Sequence, residues 1–134
     1  MTFAERRQSI RTESNATVGL SKLRSDVAAT GFSDYDVTRI LTATSELTRN
    51  ILKYAGSGEL RYAGLIDGTR EGVEIIVEDS GPGIEDLEQA LADNYSSSGT
   101  LGLGLPGVRR LVDDFDMSSE VGVGTTVKFK VWKS

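Results

Sequence analysis

Glu46 and Asn50 stand four residues apart in a stretch of helical spacing, so their side chains share a face, and Lys53 lies three residues further along it. Such a polar stripe beside an apolar one has two readings. It is a solvated outer face, or it is a site in which Asn50 gives an oxygen to magnesium while Glu46 orients a nucleophile or acts as base. Three glycine-bearing segments go with that helix. Asp79-Ser80-Gly81-Pro82-Gly83 follows the β-forming run 73–77. It is either a turn at a strand end or a place where the Asp79 carboxylate accepts from the exocyclic amine of an adenine, with Gly81 and Gly83 leaving room for the flat base. Gly102-Leu103-Gly104-Leu105-Pro106-Gly107 has the spacing of a dinucleotide fingerprint, but a serine-rich loop precedes it where a strand is required. In physical terms it is a glycine-rich loop entering a helix N-terminus at Pro106, where backbone amides and the helix dipole attract an anion. The alternative is a flexible loop with a helix start. Gly122-Val123-Gly124-Thr125, taken alone, is a routine hairpin.

Much other chemistry is excluded by composition. The 134 residues include no cysteine and no histidine. Serine or cysteine catalysis through an imidazole is therefore ruled out, as are zinc sites built on imidazole or thiolate. Any metal must be held by oxygen ligands, which favours magnesium, calcium or manganese. A net charge of −5 argues against nucleic acid as partner. The sequence has no apolar run of membrane-spanning length and no signal-like start, so the expected setting is the cytoplasm, without membrane contact. No Gly-Lys-Ser/Thr occurs for a P-loop, and Asp114-Phe115-Asp116 is not the metal-binding triplet of eukaryotic-type kinases.

The elements that must position these residues follow from periodicity. Residues 15–30 form one amphipathic helix with Gly31 as its stop. Ser33 caps a second helix, with Asp36 complementing its dipole and Val37, Ile40, Leu41, Thr44, Leu47, Ile51 and Tyr54 inward, until Gly56 and Gly58 end it. Runs 59–66 and 72–79 make a hairpin. A short acidic helix, 85–93, leads to a polar loop, 94–101. A helix then runs from Pro106 to about Phe115, and strands 117–121 and 125–132 close the chain as a second hairpin. The pattern is α+β: one domain over residues 1–134, with a mixed, mostly antiparallel sheet and helices on one face.

Taken in this order, the motifs resemble those of the GHKL (Bergerat-fold) ATPase superfamily. Glu46-x-x-x-Asn50 resembles its N box, Asp79-x-Gly81-x-Gly83 its G1 box, Gly102-x-Gly104 its G2 box and Gly122-x-Gly124-Thr125 its last glycine motif. Within the superfamily the chain is similar to the bacterial switch kinases and anti-sigma factors, and most to the stressosome serine/threonine kinases. Lys53-Tyr54-Ala55-Gly56 stands where anti-sigma factors usually carry histidine and alanine.

The resemblance implies a two-layer α/β sandwich (the Bergerat fold) that binds ATP with Mg2+. Asp79 would contact adenine, supported by Thr125, and Asn50 would ligate the metal. Residues 94–101 would form a lid, and the amides of Gly102, Leu103, Gly104 and Leu105 would cradle phosphates. Glu46 would draw the proton from a protein serine or threonine during phosphoryl transfer. Lys53, Arg109 and Arg110 are candidate phosphate cations. The implied substrates are STAS-domain scaffold proteins, and the implied activation target is a PPM-type phosphatase. The alternatives are an anti-sigma factor that phosphorylates its antagonist, and a nucleotide-binding switch without catalysis.

Overall fold

The computed structural model describes residues 3–84, 91 and 104–134. Strand β1 (Arg6–Ile10) is followed by helices α1 (Glu13–Ala29) and α2 (Asp34–Asn50), then a π-helical turn (Ile51–Ala55). Strands β2 (Gly58–Asp67) and β3 (Arg70–Asp79), helix α3 (Gly104–Leu111) and strands β4 (Asp114–Glu120) and β5 (Gly124–Trp132) complete the described chain. Both long helices begin where their capping residues dictate. Thr12 Oγ1 accepts from the Asn15 amide at 3.1 Å while Asn15 Oδ1 accepts from the Thr12 amide at 3.2 Å. Ser33 Oγ likewise accepts from the Asp36 amide at 3.1 Å.

The sheet has the order β1-β2-β3-β5-β4, and every pair of neighbours is antiparallel. The expectation of a mixed sheet is corrected by this. Two tight hairpins supply β2–β3 and β4–β5, and both remaining pairings also bring strands of opposite direction together. In the first hairpin Gly68 takes φ 63° at the first of two loop positions, as a type II′ turn requires. Alternate residues face the helices and form the core: Leu60 and Tyr62 from β2, Val73, Ile75 and Val77 from β3, Val127, Phe129 and Val131 from β5. Against them pack Leu23 and Val27 of α1, Ile40, Ala43 and Leu47 of α2, and Val108 of α3. Phe129 is fully buried, a contribution of about 2–3 kcal/mol.

Three local expectations are corrected. Strand β1 has no counterpart in the periodicity, because Arg-Arg-Gln-Ser-Ile carries a single core residue, Ile10. Helix α3 ends at Leu111, not Phe115. Phe115 belongs to β4 and pairs with Phe129, because Asp113 redirects the chain by donating its amide to the Lys130 carbonyl and accepting from the Trp132 amide. Tyr54 is 48% exposed instead of inward. The π turn, closed by Gly56 N–H on the Ile51 carbonyl at 2.8 Å, adds a residue to the helical period and rotates Tyr54 off the core face. The acidic helix expected at 85–93 lies outside the described residues apart from Leu91, and the loop 94–101 lies wholly outside them.

Among the described residues a tight polar cluster fastens the α2 N-terminus to the rest. Arg39 Nε donates to Asp36 at 3.0 Å, its two terminal nitrogens donate to both Asp113 oxygens at 3.1 Å, and Nη1 also reaches the Leu111 carbonyl at 3.1 Å. Asp36, with no exposed surface, also accepts from the Ser134 amide and hydroxyl at 3.0 and 2.9 Å. Burial pushes the Asp36 carboxyl up, but the Ser134 and Arg39 donors outweigh it and hold it below the usual carboxylate value. Asp113 is lowered in the same way, with burial opposed by Arg39 and the Trp132 amide.

Candidate functional site

The register places successive rows across the helix-facing side of the sheet. Tyr62, Ile75, Phe129 and Phe115 form one row, and Leu60, Val77, Val127 and Met117 form the next. The third row is Gly58, Asp79, Thr125 and Ser119. The apolar shelf thus ends in a row bearing a carboxylate and two hydroxyls. Asp79 and Thr125, separated by 46 positions in sequence, are direct cross-strand partners on this face.

The segment leaving β3 is fixed by its neighbours. Asp79 Oδ1 accepts from the Gly81 amide at 2.8 Å, which closes a local turn. A side chain on Gly81 would come within 2.5 Å of the Ala55 Cβ in the π turn. Glycine is required there because strand end and helix end meet backbone to backbone. On the other side Gly122 donates to the Pro82 carbonyl at 2.9 Å, and Gly83, with φ 79°, lies against the Glu120 backbone. Gly124, with φ 146°, has no room for a Cβ against the Asp79 carbonyl. The β4–β5 hairpin end and the 79–84 segment therefore form one packed unit.

From α2, Glu46 arrives buried, at 4% exposure. Arg49 Nη1 lies 3.5 Å from its Oε1, while Oε2 is buried and has no hydrogen-bond partner among the described residues. A buried carboxylate oxygen left without a donor is costly, about 1–3 kcal/mol. Asn50 follows one turn later as the last residue of α2, half-buried, directly before the π turn. Lys53 is exposed in that turn, with Nζ 5.2 Å from the Tyr54 ring centroid. Gly104 and Leu105 open α3, which packs on α2, and Leu105 is partly buried on the core. Gly102 and Leu103 lie outside the described residues. Arg109 and Arg110 are exposed on α3, and Arg109 donates to the Leu91 carbonyl at 3.1 Å. A polar cleft of about 580 Å³ at this end of the sheet is lined by Gly58, Asp79 and Ser119 of the row and by Glu59, Glu78, Ser118 and Thr126 of the alternate, outward positions.

Sequence comparison agrees with this geometry. Residues 35–134 match the family described as "Histidine kinase-, DNA gyrase B-, and HSP90-like ATPase". The serine/threonine-protein kinase RsbT of Bacillus subtilis (strain 168) is 47% identical over 102 residues, 76% of this chain and 77% of that protein. The chain belongs to this ATPase family. The solved RsbU and RsbW domains of Rv1364c from Mycobacterium tuberculosis superpose with a TM-score of 0.64 at 19% identity, a likeness of fold. That superposition covers 96% of this chain and only a third (33%) of the solved one.

Membership of the ATPase family entails use of ATP, and the residues present fit that ligand. The Asp79 row supplies acceptors beside an apolar shelf, and Glu46 Oε2 is a buried acceptor with no hydrogen-bond partner among the described residues. Two features at this end of the sheet escaped the sequence reading. Ser119 joins the row through β4, and strict alternation from Phe115 and Met117 points to it. The π turn has no period of its own to reveal it. None of the described helices is long and apolar enough to cross a membrane.

Proposed function

We propose that this chain is an ATP-dependent protein serine/threonine kinase of the partner-switching type, acting in the cytoplasm. It phosphorylates STAS-domain scaffold proteins and, once released from them, binds and activates a PPM-type phosphatase in stress signalling. The observation that carries the proposal is Glu46, a buried carboxylate with an unpartnered oxygen one helical turn from Asn50. The likeness to a named serine/threonine-protein kinase at 47% identity supports the same enzyme class.

In this reading Asp79 takes the amino group of adenine, with Thr125 beside it. Asn50 holds Mg2+, and the backbone of Gly102, Leu103, Gly104 and Leu105 meets the phosphates at the start of α3. Bound Mg-ATP supplies the phosphoryl group and neutralises its charge. Glu46 orients the substrate hydroxyl and accepts its proton at Oε2. Burial of the carboxylate keeps water from competing for that oxygen.

Incubating the protein with γ-labelled ATP and a STAS-domain partner should label the partner on serine or threonine, and EDTA should abolish the label. Labelling that persists without divalent metal would remove the role given to Asn50. Capture of a sigma factor in place of STAS or phosphatase partners would replace the proposal with an anti-sigma function.

A further inference from the structure

The Ser119 hydroxyl is the most heavily engaged side-chain oxygen at the base end of the site. Its Oγ accepts from the Ile84 amide at 2.7 Å, lies 3.1 Å from the Gly124 carbonyl, and lies 2.7 Å from Thr125 Oγ1. A serine hydroxyl has one proton to give and two lone pairs to receive. One arrangement satisfies all three contacts: Ser119 donates to Gly124 and accepts from both Ile84 N–H and the Thr125 hydroxyl. The Thr125 proton is then committed to Ser119, and the Thr125 oxygen offers the site only lone pairs.

We propose that Ser119 is a specificity-determining positioning residue, which fixes the Thr125 hydroxyl as an acceptor beside Asp79 and so selects a purine that presents an amino group there. This rests on the ATP-site reading above and extends it to the choice of base. Asp79 ionised is an acceptor only, and with Thr125 oriented by Ser119 the row presents two neighbouring acceptors on one face of the sheet. An exocyclic amine can donate to them. The ring carbonyl that guanine carries in its place meets lone pairs on both sides and is rejected. Through the Ile84 amide the same hydroxyl also holds the end of the 79–84 segment, whose start is closed by the Gly81 amide on Asp79 Oδ1.

The test is binding of ATP, ADP and GTP, by calorimetry, to wild type and to Ser119→Ala. The preference for ATP over GTP should fall about tenfold, because Thr125 regains a free proton that can greet a carbonyl. ADP should weaken by the same factor as ATP, since the change lies at the base and not at the phosphates. Ser119→Thr should restore the preference. If Ser119→Ala does not fold, Ser119→Cys keeps the volume with a poor hydrogen-bonding group and should show the same loss. In a double-mutant cycle, Ser119→Ala should add nothing to the discrimination lost in Thr125→Val. An unchanged ATP/GTP ratio in Ser119→Ala, with ATP still preferred by wild type, overturns this inference and leaves the ATPase reading intact. Wild type that binds neither nucleotide overturns both.

Discussion

Helix α2 carries a buried carboxylate near each end, and the two are treated in opposite ways. Asp36 has no exposed surface, and both its oxygens are occupied, by Arg39 on one and by the Ser134 amide and hydroxyl on the other. Glu46, at 4% exposure, has a loosely placed Arg49 on one oxygen and, among the described residues, no hydrogen-bond partner on the other. The same helix therefore sets a fully satisfied carboxylate beside the under-partnered one to which the proposed function gives the chemistry. The first is satisfied from every side, so its removal costs folding. The second is left short of partners, so on the proposed function its removal should cost reaction and relieve the fold.

That contrast breaks if the two ends respond alike. Glu46→Gln should reduce phosphoryl transfer about 10²–10⁴-fold. Its unfolding midpoint should stay the same or rise, since a neutral amide replaces an under-partnered buried charge. A loss of stability matching the loss of activity would make Glu46 structural. Arg39→Met should do the reverse. It strands Asp36 without its cation and should cost about 3 kcal/mol in denaturant unfolding, with turnover per folded molecule retained. The smallest effect is acid sensitivity. Asp36 and Asp113 titrate below their ordinary 3.8 in the folded state, so the stability they supply is complete above that value. It drains away as pH falls through the lowered values. Denaturation midpoints measured from pH 6 down to pH 3 should stay level and then drop below about pH 4. Asp113→Asn should have a shallower fall, and identical profiles would remove the cluster from the acid response.

The two ends also differ in how far the sequence discloses them. The motif residues of the candidate site lie close together within each segment, so their spacing raised Glu46 with Asn50 and Asp79 with Gly81 and Gly83. The helix start at Ser33 and both hairpins are equally local, and their positions followed from the cap and turn residues, whereas the first helix was expected from residue 15 and its Thr12 cap was not read. The Asp36–Arg39–Asp113 cluster is not local. Arg39 and Asp113 are 74 positions apart, and nothing in either neighbourhood marks the other. Strand β1 escaped because a strand at the sheet edge that contributes one core residue carries almost no alternating signal. Phe115 was misassigned because a single apolar residue three or four places beyond Leu111 and Val112 suits a helix as well as a strand starting afresh.

The π turn after Asn50 has a consequence for how chain length varies in this fold. It holds one residue more than the α-helical turn it replaces, and both its flanks are anchored, α2 in the core and Gly58 in the sheet. Removing one residue between Ile51 and Gly56 would let the helix close in ordinary α register. Asn50 and Gly58 would stay in place, while the side chains between them turned by about 100°. Length can thus be gained or lost at this point with no other element moving, and the outward or inward aim of position 54 is what such an event would change.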